Sequence, residues 1–190
     1  MAEKTLLVFA HDDEAAAFAE AGVPHLLTGV GKVNAALELT RALVEAGSGG
    51  VDRVVVLGTA GAVAEGVRLD TVYRISAAVQ HDFSLPSPRL ELAPAFEEQV
   101  EAAVIATGDV FVQDDAQRAA LAALGASLVD METYAYAHVC ARLGIPLQVF
   151  KTPSDFADSS TTMDEWDGAV VSNSRQLFEF AESRLPELLR

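Results

Sequence analysis

The fold is decided by the run RVVVLGTAG at residues 53–61, in which a strand-forming segment leads into four small residues. Residues 53–57 are rich in β-branched valine, a composition typical of a strand buried on both faces of a parallel sheet. The segment Gly58-Thr59-Ala60-Gly61 then predicts a tight strand-to-helix loop, where the backbone can approach a ligand closely. Ligands of open parallel sheets bind at strand ends of this kind.

Three other apolar runs end in the same way, each in a short polar segment. Residues 5–9 lead into His11-Asp12-Asp13-Glu14, residues 145–150 lead into Ser154-Asp155, and Val129 leads into Asp130-Met131-Glu132. Because the carboxyl ends of parallel strands meet at one edge of a sheet, we expect these segments to form one polar site.

Strands and helices alternate along the rest of the chain, which is typical of the layered α/β class. The remaining strands are predicted at residues 23–28, 67–79 and 104–107, and the helices at 32–46, 113–124, 131–143 and from Thr162-Met163-Asp164-Glu165 onward, which has capping-box spacing. The face that the first of these helices is expected to bury consists of Val33, Ala36, Leu37, Thr40, Leu43 and Val44. We expect residues 1–190 to form a single three-layer α/β/α domain around a central mixed, largely parallel sheet.

Composition limits the classes of function. The formal net charge of −15 disfavours nucleic acid as a partner, because its phosphates require lysine and arginine. No stretch approaches ~20 uninterrupted apolar residues, so we expect no membrane span. The single cysteine, Cys140, excludes an internal disulfide and favours a reducing cytoplasm, where it is expected to be a small buried hydrophobe.

The residue types at the strand ends leave two interpretations open. Asp155 is either a cap of the next turn or an acid, since Ser-Asp pairs are ordinary in loops. Glu132 is either a first-turn glutamate, favourable with the helix dipole, or a ligand for a vicinal diol, because a carboxylate accepts two parallel hydrogen bonds. Phe111 is either a core residue or a surface for stacking.

Seven segments stand in a recognisable order: residues 28–36 (TGVGKVNAA), 58–61 (GTAG), 81–82 (HD), 107–111 (TGDVF), 129–132 (VDME), 137–140 (AHVC) and 154–158 (SDFAD). Together they resemble the nucleoside phosphorylase and nucleosidase superfamily, and most closely the bacterial 5′-methylthioadenosine/S-adenosylhomocysteine nucleosidases. The resemblance covers most of the chain and thins around residues 15–27 and 83–100. It implies a nucleoside phosphorylase-like fold and hydrolysis of the N-glycosidic bond of a purine nucleoside, with release of adenine and no metal or organic cofactor.

The resemblance also implies roles for particular residues. Asp155 would protonate the leaving base, so its pKa must lie well above the usual ~3.9. Glu132 would clamp the ribose hydroxyls, and Glu14 would position the attacking water, with Asp13 as the alternative in the same acidic run. The further substrate contacts that it implies are Thr59, Ala60, Gly61, Phe111, Val112, Met131, Asp130, Ser154 and Val30.

The identity of the 5′ group stays open, because the segments after Glu14 and after His81-Asp82 are shorter than in typical relatives. Thr133-Tyr134 also replaces residues that are usually small, so a different cavity wall is expected. The resemblance implies a homodimer whose partner covers the 5′ end. The alternatives are hydrolysis of futalosine or another 5′-modified purine nucleoside, a phosphorylase, which would need basic groups to hold phosphate, and a non-catalytic nucleoside-binding module.

Overall fold

The computed structural model describes residues 3–92 and 100–189, with only the main chain described for residues 163–167. Eight strands and five helices follow one another in the described part of the chain. The strands are β1 Thr5–Phe9, β2 Leu26–Leu27, β3 Arg53–Ala62, β4 Tyr73–Gln80, β5 Leu90–Glu91, β6 Ala102–Thr107, β7 Leu128–Asp130 and β8 Leu147–Asp155. The helices are α1 Asp12–Glu20, α2 Lys32–Ala46, α3 Asp115–Ala123, α4 Thr133–Leu143 and α5 Met163–Arg184, followed by a 3₁₀ turn at Pro186–Leu189.

Strand β3 lies at the centre of the sheet, and its successive residues pack into two different cores. Val54 and Val56 pack with α2 and α4, whereas Val55 and Leu57 pack with α1 and α5 on the opposite face. This alternation places helices on both faces of the sheet, because successive side chains of a strand point to opposite sides. The predicted three-layer α/β/α arrangement is confirmed.

The sheet runs in the order β2-β1-β3-β7-β6-β4-β5, and β8 pairs with both β3 and β4. Within the described ranges its pairings are parallel except β3 with β7, β4 with β5 and β4 with β8. The sheet is therefore mixed and largely parallel, as predicted. Since β8 joins β3 to β4, the strands β3, β8, β4, β6 and β7 form a closed ring, which the sequence pattern did not indicate.

The loop predicted at Gly58-Thr59-Ala60-Gly61 is wrong, because β3 continues through these residues to Ala62. The small residues pair with β8, and the register shifts between Ala60 and Gly61. Gly58 leaves room here for the buried charges, because a Cβ at this position would lie 3.0 Å from both the Glu14 carboxylate and the Lys151 ammonium. The strand predicted at residues 23–28 is reduced to the two residues of β2.

Helix α2 has the predicted bounds, but the face that it was predicted to bury is only partly right: Leu43 is buried and Ala36 packs against the core, whereas Val33, Leu37 and Val44 are exposed. The helix packs against the sheet through Ala35, Leu39 and Leu43. Val33 and Leu37, which belong to the predicted inner face, are 76% and 59% exposed. The helix carries two apolar faces, and periodicity alone did not distinguish the one that packs on the sheet.

Helices α3 and α4 each begin two residues later than predicted; α4 ends at the predicted residue before Gly144, whereas α3 ends at Ala123, one residue earlier than predicted. Cys140 is buried as predicted, and burial raises the pKa of its thiol to about 12. The capping box predicted at residues 162–165 lies outside the described side chains. None of the helices described is long and apolar enough to cross a membrane.

Candidate active site

The strand ends enclose a cavity of about 210 Å³. All the residues predicted for catalysis or substrate contact line it, including Glu14, Glu132 and Asp155. Asp13 does not, and its side chain is 48% exposed beside His11. The other lining residues are Ala10, His11, Val110, Val129 and Ala157; of these only His11 belongs to a segment that was predicted to form the polar site.

Glu14 is buried and held by donors on both oxygens. Its Oε1 accepts hydrogen bonds from the Thr59 N–H at 2.6 Å and the Thr59 hydroxyl at 2.7 Å. Its Oε2 accepts the N–H groups of Ala10 and His11, each at 3.2 Å. The bond to His11 completes the capping box of α1, so one side chain both caps a helix and faces the cavity.

Asp155 is the last residue of β8, and its two oxygens have different partners. Oδ1 accepts from the Ala157 N–H at 2.8 Å and the Thr161 hydroxyl at 3.3 Å, whereas Oδ2 lies 2.7 Å from Ser154 Oγ. Burial raises the pKa of Asp155 above its ordinary value, although the three hydrogen bonds oppose this. A carboxyl with a raised pKa can hold a proton for transfer to a leaving group.

Glu132 occupies the N-terminal end of α4 and reaches across the cavity to a second helix. Its Oε1 accepts the Gly31 N–H, the amide directly before α2, at 2.9 Å. Burial and the negative charges of Asp130 and Glu14 raise the pKa of Glu132 to about 8, while the Lys151 ammonium and the Gly31 N–H oppose the rise. Positive charge developing beside Glu132 would favour its ionised form.

Asp130 lines the cavity, but protein donors engage both of its oxygens. Oδ1 accepts the Thr107 hydroxyl at 2.7 Å, and Oδ2 accepts the Thr133 N–H at 3.0 Å and lies 3.2 Å from Lys151 Nζ. Its carboxylate therefore holds the first turn of α4 and the buried lysine. Oδ1 has one donor among the contacts described, so it retains acceptor capacity towards the cavity.

Lys151 is fully buried beneath the cavity among Asp130, Glu14 and Glu132. Burial lowers the pKa of Lys151, but the charges of these three carboxylates outweigh it and raise the pKa overall. One ammonium thus faces three carboxyl groups, and this imbalance of charge adds to burial, the largest cause, in raising the pKa of Glu132. The signal in the sequence was a charged residue inside the apolar run of β8.

The predicted change of the cavity wall at Thr133-Tyr134 is wrong, because neither residue lines the cavity. Thr133 is buried and donates to Asp130. The Tyr134 hydroxyl points away, bonding Ser87 Oγ and the Pro88 carbonyl at 2.9 Å each. Tyr134 therefore anchors the shortened loop after β4.

His81 and Asp82 lie outside this cavity; Asp82 has structural partners, whereas the buried Nε2 of His81 has no hydrogen-bond partner among the residues described. Asp82 Oδ1 lies 2.6 Å from Lys32 Nζ, and Asp82 Oδ2 accepts the Asp109 N–H at 2.8 Å. The His81 ring packs against Gly108. This pair joins the N-terminal end of α2 to the segment that carries Phe111.

The fold and the cavity define a class: a three-layer α/β protein with a ring-closed mixed sheet and buried carboxyl groups at its strand ends. Comparison with known families identifies the class. Residues 18–185 match the family model of the Phosphorylase superfamily. The chain belongs to this family.

Relatives within the family are nucleosidases by name. The chain is 26% identical over 183 residues to an aminodeoxyfutalosine nucleosidase of Helicobacter pylori, covering 84% of this chain and 78% of that protein. It is 29% identical over 182 residues to a 5′-methylthioadenosine/S-adenosylhomocysteine nucleosidase of Marinomonas sp., covering 81% and 78%. The native structure of futalosine hydrolase of Helicobacter pylori superimposes with a TM-score of 0.83 at 23% identity over 97% and 98% of the two chains. At that identity the superposition supports the fold alone.

Proposed function

We propose that this protein hydrolyses the N-glycosidic bond of a 5′-modified purine nucleoside, with 5′-methylthioadenosine or S-adenosylhomocysteine as substrate and adenine as product. The observation that carries the proposal is one cavity in which three carboxyl groups have three different environments. Glu14 is held by four donors, Asp155 has a raised pKa, and Glu132 shares a buried lysine with two other carboxylates. Bond cleavage at a nucleoside needs an acid, a base and a charge near the sugar.

In the proposed reaction, water attacks the anomeric carbon as the bond from that carbon to the base breaks. The bonding electron pair passes to the purine, and Asp155 gives its proton to a ring nitrogen, so the base leaves neutral. Glu14 accepts a proton from the water on Oε2, where one of the two longer hydrogen bonds, from the Ala10 or His11 N–H at 3.2 Å, gives way. The two Thr59 donors meanwhile hold the carboxylate in orientation. The products are the free base and the 5′-modified ribose.

Glu132 acts on the sugar in this proposal. Burial and the neighbouring carboxylates raise its pKa. The positive charge of an oxocarbenium-like sugar would lie beside Glu132 and lower its pKa, so the ionised form of Glu132 would be favoured. Ionised Glu132 can accept both hydroxyls of the 2′,3′-diol and stabilise the cation that exists chiefly in the transition state.

Water rather than phosphate is the proposed nucleophile. No lysine or arginine is found among the described residues that line the cavity. Lys151 lies beneath the cavity, where Asp130 pairs with it at 3.2 Å. Carboxylates would repel a phosphate ion, which is bound in proteins by Arg, Lys or free backbone amides.

A second candidate substrate is aminodeoxyfutalosine, because a relative of similar identity carries that name. A nucleoside panel separates the candidates: 5′-methylthioadenosine, S-adenosylhomocysteine, aminodeoxyfutalosine, futalosine and adenosine, each with and without phosphate, followed by chromatography of free base. We expect release of adenine from a 5′-modified nucleoside at a rate that phosphate does not change. A requirement for phosphate would indicate a phosphorylase, and binding without release from any nucleoside would indicate a binding module.

We propose that the protein acts as a homodimer in the cytoplasm, without a metal or organic cofactor. Support for the dimer comes from the apolar stripe Val33, Leu37 and Val44 along α2, whose residues are 76%, 59% and 66% exposed. Val30, at the cavity mouth just before this helix, is 41% exposed. A second copy seated on the stripe would cover the mouth, and exposed apolar patches of this kind mark interaction surfaces. Light scattering that shows a fully active monomer would contradict this.

A further inference from the structure

The segment that follows Asp155 builds a turn whose hydrogen bonds converge on one oxygen of that carboxyl group. The Thr161 hydroxyl lies 3.3 Å from Asp155 Oδ1 and accepts the Asp158 N–H at 3.3 Å. A hydroxyl has one proton, and the Asp158 amide can only donate. The Thr161 hydroxyl can therefore accept the Asp158 N–H and donate its own proton to Asp155 Oδ1.

A second donor reaches the same oxygen from a strained residue. Ala157 has φ of 48°, in the left-handed region that an alanine rarely adopts, and its N–H lies 2.8 Å from Asp155 Oδ1. Its side chain is 1% exposed, and a Cβ at Gly61 would lie 2.9 Å from the Ala157 Cβ. Packing around Ala157 thus retains a conformation that directs its amide at the carboxyl group.

The turn is also tied to the helix that follows Phe111. Ser159 donates its N–H and its hydroxyl to the two carboxylate oxygens of Asp115 on α3, each at 3.1 Å. Arg118 on the same helix lies 3.9 Å from the Asp158 carboxylate. Contacts of the turn with Asp155 on one side and with α3 on the other therefore fix the position of Thr161, which is only 5% exposed.

We propose that Thr161 is a positioning residue for Asp155: with the Ala157 N–H it keeps Oδ1 an acceptor, so the acidic proton resides on Oδ2. The inference rests on the proposed role of Asp155 as general acid. Ser154 Oγ, 2.7 Å from Oδ2 and 3.4 Å from the Ala60 carbonyl, can accept that proton's hydrogen bond while donating its own to Ala60. A purine in the cavity would then receive the proton from Oδ2.

The test compares Thr161→Val, which loses the hydroxyl at nearly constant volume, with Thr161→Ser, which keeps it. Ser160→Ala is the control in the same turn, because Ser160 bonds only Asp158 among the contacts described. Two quantities are measured: the pH profile of base release, and the pH titration of the Asp155 carboxyl group by carbon-13 NMR. The Asp155 signal is assigned as the carboxyl resonance that disappears in Asp155→Asn. The charged groups around Asp155 are Asp158, Asp115 and Arg118 beside it and Glu14 and Glu132 in the same cavity.

We expect Thr161→Val to raise the pKa of Asp155, since its charged form loses a donor, and to lower kcat about 10-fold with KM nearly unchanged. The high-pH limb of the rate should move upward with the NMR titration, while Thr161→Ser and Ser160→Ala stay at the wild-type values. An unchanged Asp155 titration in a folded Thr161→Val variant would overturn the proposal. The NMR titration does not depend on turnover. If Thr161→Val changes the titration of Asp155 but the wild type releases no base from any nucleoside, the proposed function is refuted and the positioning role of Thr161 is not.

Discussion

Replacing Glu132 with glutamine tests the buried carboxylate cluster through stability, independently of any substrate. Burial and the neighbouring charges raise the pKa of Glu132 from an ordinary value of 4.5 to about 8. Below pH 4.5 the carboxyl group is protonated in both the folded and the unfolded protein. Between pH 4.5 and about 8 only the unfolded chain loses the proton, so each pH unit lowers the free energy of unfolding by about 1.4 kcal/mol.

Above pH 8 the loss of unfolding free energy levels off. Its upper limit is about 5 kcal/mol, which is about 1.4 kcal/mol for each pH unit between pH 4.5 and 8. Glutamine cannot ionise, keeps the acceptor for the Gly31 N–H and has the same shape. We therefore expect Glu132→Gln to match the wild type near pH 4.5 and to become progressively more stable as the pH rises to 8.

The assay is urea unfolding at one-unit steps from pH 5 to pH 9, with Glu65→Gln as the control, because Glu65 is exposed. Glu65→Gln should follow the wild type at every pH. A Glu132→Gln variant that is less stable than the wild type at pH 8 would refute the reasoning. It would mean that Glu132 is ionised in the folded protein and stabilised by the Lys151 ammonium.

Three further outcomes are expected. Lys151→Met should lower the free energy of unfolding by about 3–5 kcal/mol, because it leaves Asp130 without its buried counter-charge, and urea unfolding that shows no loss would contradict this. Leu37→Glu should convert the dimer to a monomer in light scattering, and an unchanged mass would exclude the α2 stripe as the interface. Wild-type protein should cleave 2′-deoxynucleosides much more slowly than ribonucleosides in kcat, and equal rates would exclude the ribose clamp at Glu132.

Much of the site could be predicted because its chemistry lies at strand ends. Apolar runs that stop at acids or small residues located the segments that carry Glu14, Glu132 and Asp155, and the family resemblance selected these three residues within them. Residue types did not distinguish catalyst from cap at Asp155 and Glu132. Glu14 shows that one carboxylate can do both, because it caps α1 and faces the cavity.

The rest depends on tertiary contacts that leave little local pattern. The ring of strands closes because β8 pairs with two partners, and strand propensity contains no information about a second partner. The outer stripe of α2 has the same periodicity as an inner face. The left-handed backbone at Ala157 has no signal in the sequence, since glycine or asparagine would be expected there.

The central claim is that Asp155 gives the proton that lets the base leave, and one measurement addresses it directly. Base release by Asp155→Asn is compared with that of the wild type on the best substrate of the panel, alongside the binding affinity of each for the same nucleoside. We predict that the variant binds the nucleoside with an affinity close to that of the wild type and releases base about 10² to 10⁴ times more slowly, the usual effect of losing a general acid. Release at a rate near that of the wild type would contradict the account.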